Sequence, residues 1–141
     1  MRVLAVDPGS KRVGLALSDP SGTIATPLTT LSAEPGDTLG ARVAAIAAEH
    51  EVGRIVVGLP RELDGGRGPA AAAAERLAAA LRTASKLRVE TYDERLTTAA
   101  AERALIDAGA RRATRRKAID QVAAAMLLQT YLDRERSRRA G

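Results

Sequence analysis

The chain has 141 residues, 45% of them hydrophobic, which suits one domain with one core and leaves little room for a second. It has no cysteine, which excludes disulfide scaffolds, thiolate zinc sites and cysteine nucleophiles, and its aromatic content is 1% (Tyr92 and Tyr131), which argues against base-stacking sheets and barrels. The net charge of +5, from 22 Lys+Arg against 17 Asp+Glu, fits a polyanionic partner, and solubility alone would also explain it.

In chain order, the unbroken apolar run Val3-Leu4-Ala5-Val6 predicts a buried strand. It ends on Asp7 and the turn dipeptide Pro8-Gly9, and after Lys11 and Arg12 the run Val13 to Leu17 predicts a second strand that completes a hairpin. Asp7 then either starts the turn or, fixed on a rigid strand, holds a metal ion or receives a proton. Ile24 to Leu31 is expected as a third strand beside the second, with Pro27 marking an edge position or a bulge. Asp37 or Thr38 can cap a helix through Leu39, Val43, Ile46 and Ala47, ended by Gly53. Ile55 to Leu59 is a short apolar strand of the kind covered on both faces.

Pro60 to Gly68 is a glycine-rich loop, and Pro69 opens a helix with Ala70 to Ala74, Leu77, Ala78 and Leu81 on its face. Leu87 to Tyr92 alternates and predicts the last strand. Thr97 or Thr98 caps a third helix through Leu105 and Ile106, stopped by Gly109. Thr114 caps a final helix from about Arg115 to Arg134. Residues 1–133 are expected as one domain, and the basic segment 134–141 as a disordered tail. The order of elements predicts an α/β fold: a mixed five-stranded sheet, three antiparallel strands extended by two parallel ones, flanked by helices.

Three acids stand out by position. Asp7 ends the first strand, Glu94 follows the last, and Asp120 lies in the first two turns of the final helix beside the apolar Ile119, Val122, Ala123 and Met126. Asp93 rivals Glu94, and in an extended chain the two point to opposite sides. Carboxylates converging there would repel without cations, and oxygen ligands suit Mg²⁺ or Mn²⁺, one or two ions, which can activate water for phosphodiester cleavage. Lys11, Arg12, Arg61, Arg95, Arg116 and Lys117 are the cations around these acids, candidates for nucleic-acid phosphates. On spacing alone Arg116, Lys117 and Asp120 also fit a solvated helix-surface ion pair. The loop Arg61 to Gly68 could close over a nucleic-acid backbone or be a simple turn; Asp19 and Asp64 suit turns. His50 is the only histidine, near a helix end, where a solvated role fits better than catalysis. The absence of a leader and of a long apolar run leads us to expect a cytoplasmic protein with no membrane partner.

Asp7-Pro-Gly-Ser-Lys-Arg-Val-Gly-Leu-Ala-Leu-Ser-Asp19 resembles the first motif of the bacterial YqgF (RuvX) family, and Val57-Gly-Leu-Pro-Arg-Glu-Leu-Asp-Gly-Gly-Arg-Gly-Pro69 its second. Asp93-Glu-Arg-Leu-Thr-Thr98 and Arg116-Lys-Ala-Ile-Asp-Gln-Val-Ala-Ala124, with Leu128-Gln-Thr-Tyr-Leu-Asp133, resemble the third and fourth. The resemblance implies an RNase H-like fold and a metal-dependent nuclease that matures the 5′ end of pre-16S ribosomal RNA, with the ribosomal particle as a possible partner. The family was described earlier as Holliday junction resolvases, which implies a DNA four-way junction as the alternative substrate. Carried over by motif, the acidic set is Asp7, Glu94 and Asp120, with one acid on the final helix rather than a close pair. Either a monomer or a homodimer is compatible. Two readings of other classes are an actin-like ATPase, which 141 residues cannot accommodate, and a non-cleaving RNA- or ribosome-binding accessory protein.

Overall fold

The computed structural model describes residues 1–60, 68–93 and 112–140, with the side chains of the last segment described from 122 to 139. Its elements are β1 (Arg2–Pro8), β2 (Arg12–Ser18), β3 (Ala25–Ser32), α1 (Gly36–Glu49), β4 (Val52–Leu59), α2 (Pro69–Ser85), β5 (Arg88–Asp93) and α3 (Arg112–Ala140). They form one sheet in the order β3-β2-β1-β4-β5. The β3–β2 and β2–β1 pairs are antiparallel, and β1–β4 and β4–β5 are parallel. The mixed sheet expected from the sequence is the one found.

The apolar run of β1 has no polar face because both faces are covered. Leu4 and Val6 face α1 and α2, in a core with Leu15, Ile55, Val57, Val43 and Leu81. Val3 and Ala5 face α3, in a second core with Ala16, Val56, Leu127, Leu128 and Tyr131. Each leucine fully buried beneath a helix contributes about 1.5–3 kcal/mol over leaving it in water, so α3 is held to the sheet chiefly by this stripe.

The β1–β2 turn is closed by Gly9 N–H donating to the Arg12 carbonyl at 3.0 Å. A Cβ at Gly9 would lie 2.5 Å from that carbonyl oxygen, so only glycine fits. β3 is an edge strand, and its register shifts opposite Leu15/Ala16 where Pro27 falls, so the proline sits at both an edge and an irregularity.

Several boundaries differ from the expectation. α1 starts at Gly36 with no side-chain cap; the Thr38 hydroxyl instead donates to the Pro35 carbonyl at 3.1 Å. The chain leaves α1 through Glu51, at φ 55°, and Gly53 belongs to β4. α3 already includes Arg112 and Ala113, ahead of the start expected at about Arg115, and it continues through the segment expected as a disordered tail to Ala140. There Arg136 pairs with Asp133, and Arg138 with Glu135 at 3.3 Å, one helical turn apart. The helix expected between Thr97 and Gly109 and the loop after Pro60 lie outside the described residues.

Candidate active site

Asp7 is the next-to-last residue of β1, half-buried and paired in register with Gly14 of β2. Side chains alternate along a strand, so Asp7 shares a face with Val3 and Ala5, which pack under α3. It is thus a carboxylate on a central strand, at the sheet edge where the turn begins. Lys11 is exposed in that turn, and Arg12, half-buried, opens β2.

α3 lies across this same face. Gln129 ties it to the start of β3: its carbonyl accepts from Ala25 N–H and its amide donates to the Thr23 carbonyl, both at 2.9 Å. Tyr131 and Leu132 pack with Val3 near the start of β1. Position 120 lies four residues before Ala124 and seven before Leu127, on the stripe that carries the buried residues of α3. The side chains of Asp120, Arg116 and Lys117 are outside the described ones. Glu94, Arg95, Arg61 and Asp64 are outside the described residues altogether.

β5 places one of the two neighbouring acids. Tyr92 packs in the core under α3, whereas Val89 packs in the core on the other face. Asp93 has the parity of Val89 and therefore falls on the face opposite Asp7. His50 caps the C-terminus of α1 just before β4, whose first residue, Val52, aligns with Arg2. It sits at the other end of the sheet from Asp7, so no Ser-His-Asp arrangement can be built there.

The one expected ligand described at this edge, the Asp7 carboxylate, is of the kind a hard cation takes. With no cysteine in the chain and its histidine distant, the ligands available there are oxygens, which suit Mg²⁺ or Mn²⁺ over zinc. Among the described residues no group of three or more His, Cys, Asp or Glu could hold a metal ion. Asp7 is the one member of the expected acidic set whose side chain is described.

Perturbed groups lie at the far end of the sheet from Asp7. Asp19, read from the sequence as a turn residue, is one: its carboxylate accepts Thr23 N–H at 2.8 Å and Ile24 N–H at 2.9 Å, and also the Ser21 hydroxyl. Those donors, the Ile24 amide first, hold its pKa well below the usual carboxylate range. A polar cluster beneath α3 had no signal in the sequence. Arg54 donates to the Tyr131 hydroxyl, which donates on to Glu90. The Tyr131 hydroxyl raises the Arg54 pKa, and burial raises that of Tyr131. These residues fasten α3 to β4 and β5.

A family model described as "RuvX: Holliday junction resolvase" matches residues 1–134. A Geobacillus kaustophilus protein named "Putative pre-16S rRNA nuclease" is 49% identical over 138 residues, covering 96% of this chain and 100% of its own length. A protein of the same name from Chloroflexus aurantiacus is 45% identical over 135 residues, covering 96% and 88%. Among solved structures, T. thermophilus RuvC in complex with a Holliday junction substrate superposes with a TM-score of 0.61 at 17% identity, covering 97% of this chain and 96% of that one. The fowlpox virus Holliday junction resolvase gives 0.56 at 14% identity, covering 95% and 99%. These superpositions establish the RNase H-like fold.

Proposed function

We propose, from the premise that this chain belongs to the RuvX family, that it is a divalent-metal-dependent endonuclease that trims the 5′ end of pre-16S ribosomal RNA. The chain is a nuclease; its substrate, its metal and the residues that carry the reaction are the proposal. The observation that carries it is the common face of Asp7 and the α3 stripe. From Tyr131, packed near Val3, back to position 120 is about 16 Å of helix. From Val3 to Asp7 is about 13 Å of strand. A helix laid along β1 in the opposite sense would bring these two positions level, and the parity of β5 favours Glu94 over Asp93 as the third acid.

In this reading Asp7, Glu94 and Asp120 hold one or two divalent ions. The bound metal would supply Lewis-acid activation of the scissile phosphate and of the attacking water. Asp7 fixes one oxygen donor on a strand that both cores hold rigid. Lys11 and Arg12, on the turn that follows, receive the phosphates flanking the cut, together with Arg61, Arg95, Arg116 and Lys117. One cut in an RNA requires one site, so a monomer suffices, whereas paired cuts in a DNA junction would require a dimer. No helix among the described residues is long and apolar enough to cross a membrane, and we place the reaction in the cytoplasm, on RNA alone or within ribosomal particles.

The test incubates the purified chain with Mg²⁺ or Mn²⁺ on pre-16S RNA and, in parallel, on a four-way DNA junction, each repeated with Asp7→Asn. The expected result is metal-dependent cleavage of the RNA, reduced on the order of 10⁴-fold in the variant, with RNA binding retained. Cleavage of the junction alone would assign a resolvase. RNA binding without cleavage, indifferent to Asp7→Asn, would assign an accessory protein and overturn the proposal.

A further inference from the structure

Between α1 and α2, beneath the β1–β2 turn, the molecule has a cleft of about 510 Å³. Its lip is the segment Pro8–Ser10, which directly follows Asp7. The largely buried Leu39 and Leu77 form its floor, Ala33, Ala73 and Ala80 its more accessible apolar walls, and the exposed Glu34 and Arg76 its charged rim. The size, the apolar walls and the few polar groups are those of a site for a small organic ring system. Asp7 lies on one face of the sheet and the cleft on the other, so they flank the same turn from two sides.

Resting on the nuclease reading above, we propose that this cleft receives an unpaired nucleobase of the substrate strand, one adjoining the scissile phosphate. An RNA-handling surface ordinarily holds unpaired bases on aromatic side chains. This chain has two aromatic residues, Tyr92 and Tyr131, and they are spent on each other, edge to face at 6.0 Å, where α3 meets β5. A base must therefore be sheathed by aliphatic walls, and this cleft supplies them beside the candidate reaction centre. The two rim charges match the two ends of a nucleotide. Arg76 complements a phosphate, and the Glu34 carboxylate accepts hydrogen bonds from ring N–H or exocyclic amino groups. A strand bent around Pro8–Ser10 would put its phosphate toward Asp7 and its neighbouring base in the cleft.

Gly36 offers a clean way to fill the cleft. It is one of the lining residues, and a Cβ built there meets nothing within 4 Å and needs no left-handed backbone. Ala73, exposed on α2, is a second lining position, and its neighbour Ala72 is exposed outside the cleft. The experiment measures two affinities for the wild type, Gly36→Leu, Ala73→Leu and Ala72→Leu. One is for an RNA with unpaired nucleotides at the cut, by fluorescence anisotropy; the other is for each of the four nucleoside monophosphates, by ligand-observed NMR. We expect Gly36→Leu and Ala73→Leu to weaken both about tenfold, the scale of one lost base contact, with thermal midpoints unchanged and Ala72→Leu like wild type. An abasic nucleotide in the RNA should cost the wild type the same factor and cost Gly36→Leu nothing more. RNA cleavage with unchanged affinities in both filling variants overturns the cleft and leaves the nuclease reading intact. Weakened mononucleotide binding in a chain that cuts no RNA does the reverse, and absence of RNA and mononucleotide binding overturns both.

Discussion

Arg54 donates a hydrogen bond to the Tyr131 hydroxyl at 2.8 Å, and that hydroxyl is 3.0 Å from the Glu90 carboxylate, so one phenol joins α3 to both parallel strands. Arg88 pairs with the same carboxylate at 2.7 Å, and Glu135 lies 3.8 Å from Arg54. The phenol ring meanwhile belongs to the apolar stripe of the helix. Tyr131 is thus both a packing residue and the bridge between an arginine and a carboxylate.

Tyr131→Phe keeps the ring and removes the bridge, leaving partly buried charged groups with a lost partner. The expected cost is about 1–3 kcal/mol, read as a lower denaturant midpoint with an unchanged slope. Tyr131→Ala also removes the packing and should cost about 3–5 kcal/mol.

Gly40 on α1 faces Ala80 on α2, and a Cβ at Gly40 would lie 2.9 Å from the Ala80 Cβ. That neighbour is short and held by its helix, so Gly40→Val must push the helices apart, at a cost of about 1–3 kcal/mol. The closer approach at Gly53, 2.5 Å to the Met1 side chain, is to a flexible thioether that can swing away. Gly53→Ala should therefore lie within about 1 kcal/mol of wild type. Thermal unfolding of the two variants side by side checks the ranking.

How much of this was legible in the sequence depends on the range of the interactions. The mixed five-stranded sheet followed from the order of strands and helices and the spacing of turns, both local signals, whereas the place of β4 beside β1 came only from the structure. Asp7 could be singled out because a carboxylate ending such a run is conspicuous. The exit from α1 was misplaced because Gly53 is the usual helix stop, yet Met1 covers it and Glu51 makes the turn at φ 55°. The helical 134–140 segment read as a tail because its charges look solvated, and only the structure pairs Arg54 with Glu135. The Arg54–Tyr131–Glu90 cluster joins residues 41 and 77 positions apart, beyond any periodicity.

The Asp19 turn should respond to acid. Its carboxyl is held below its ordinary value by the Ile24 amide, the Ser21 hydroxyl and the Thr23 amide. A group depressed in the folded state stabilises above its unfolded pKa, about 3.9, and that contribution fades as the pH falls below it. Asp19→Asn should flatten the dependence of the thermal midpoint on pH below about 4 while leaving the shape of the curve near neutrality unchanged.

If Asp7, Glu94 and Asp120 share a divalent ion, as proposed, Mn²⁺ binding followed by electron paramagnetic resonance reads it out without substrate. Wild-type protein should bind Mn²⁺, and Asp7→Asn, Glu94→Gln and Asp120→Asn should each weaken binding by about 100-fold or more, since even supporting residues around a metal cost 10- to 100-fold when lost. Wild-type Mn²⁺ affinity in any one of the three variants would remove that acid from the shared site and overturn the proposal.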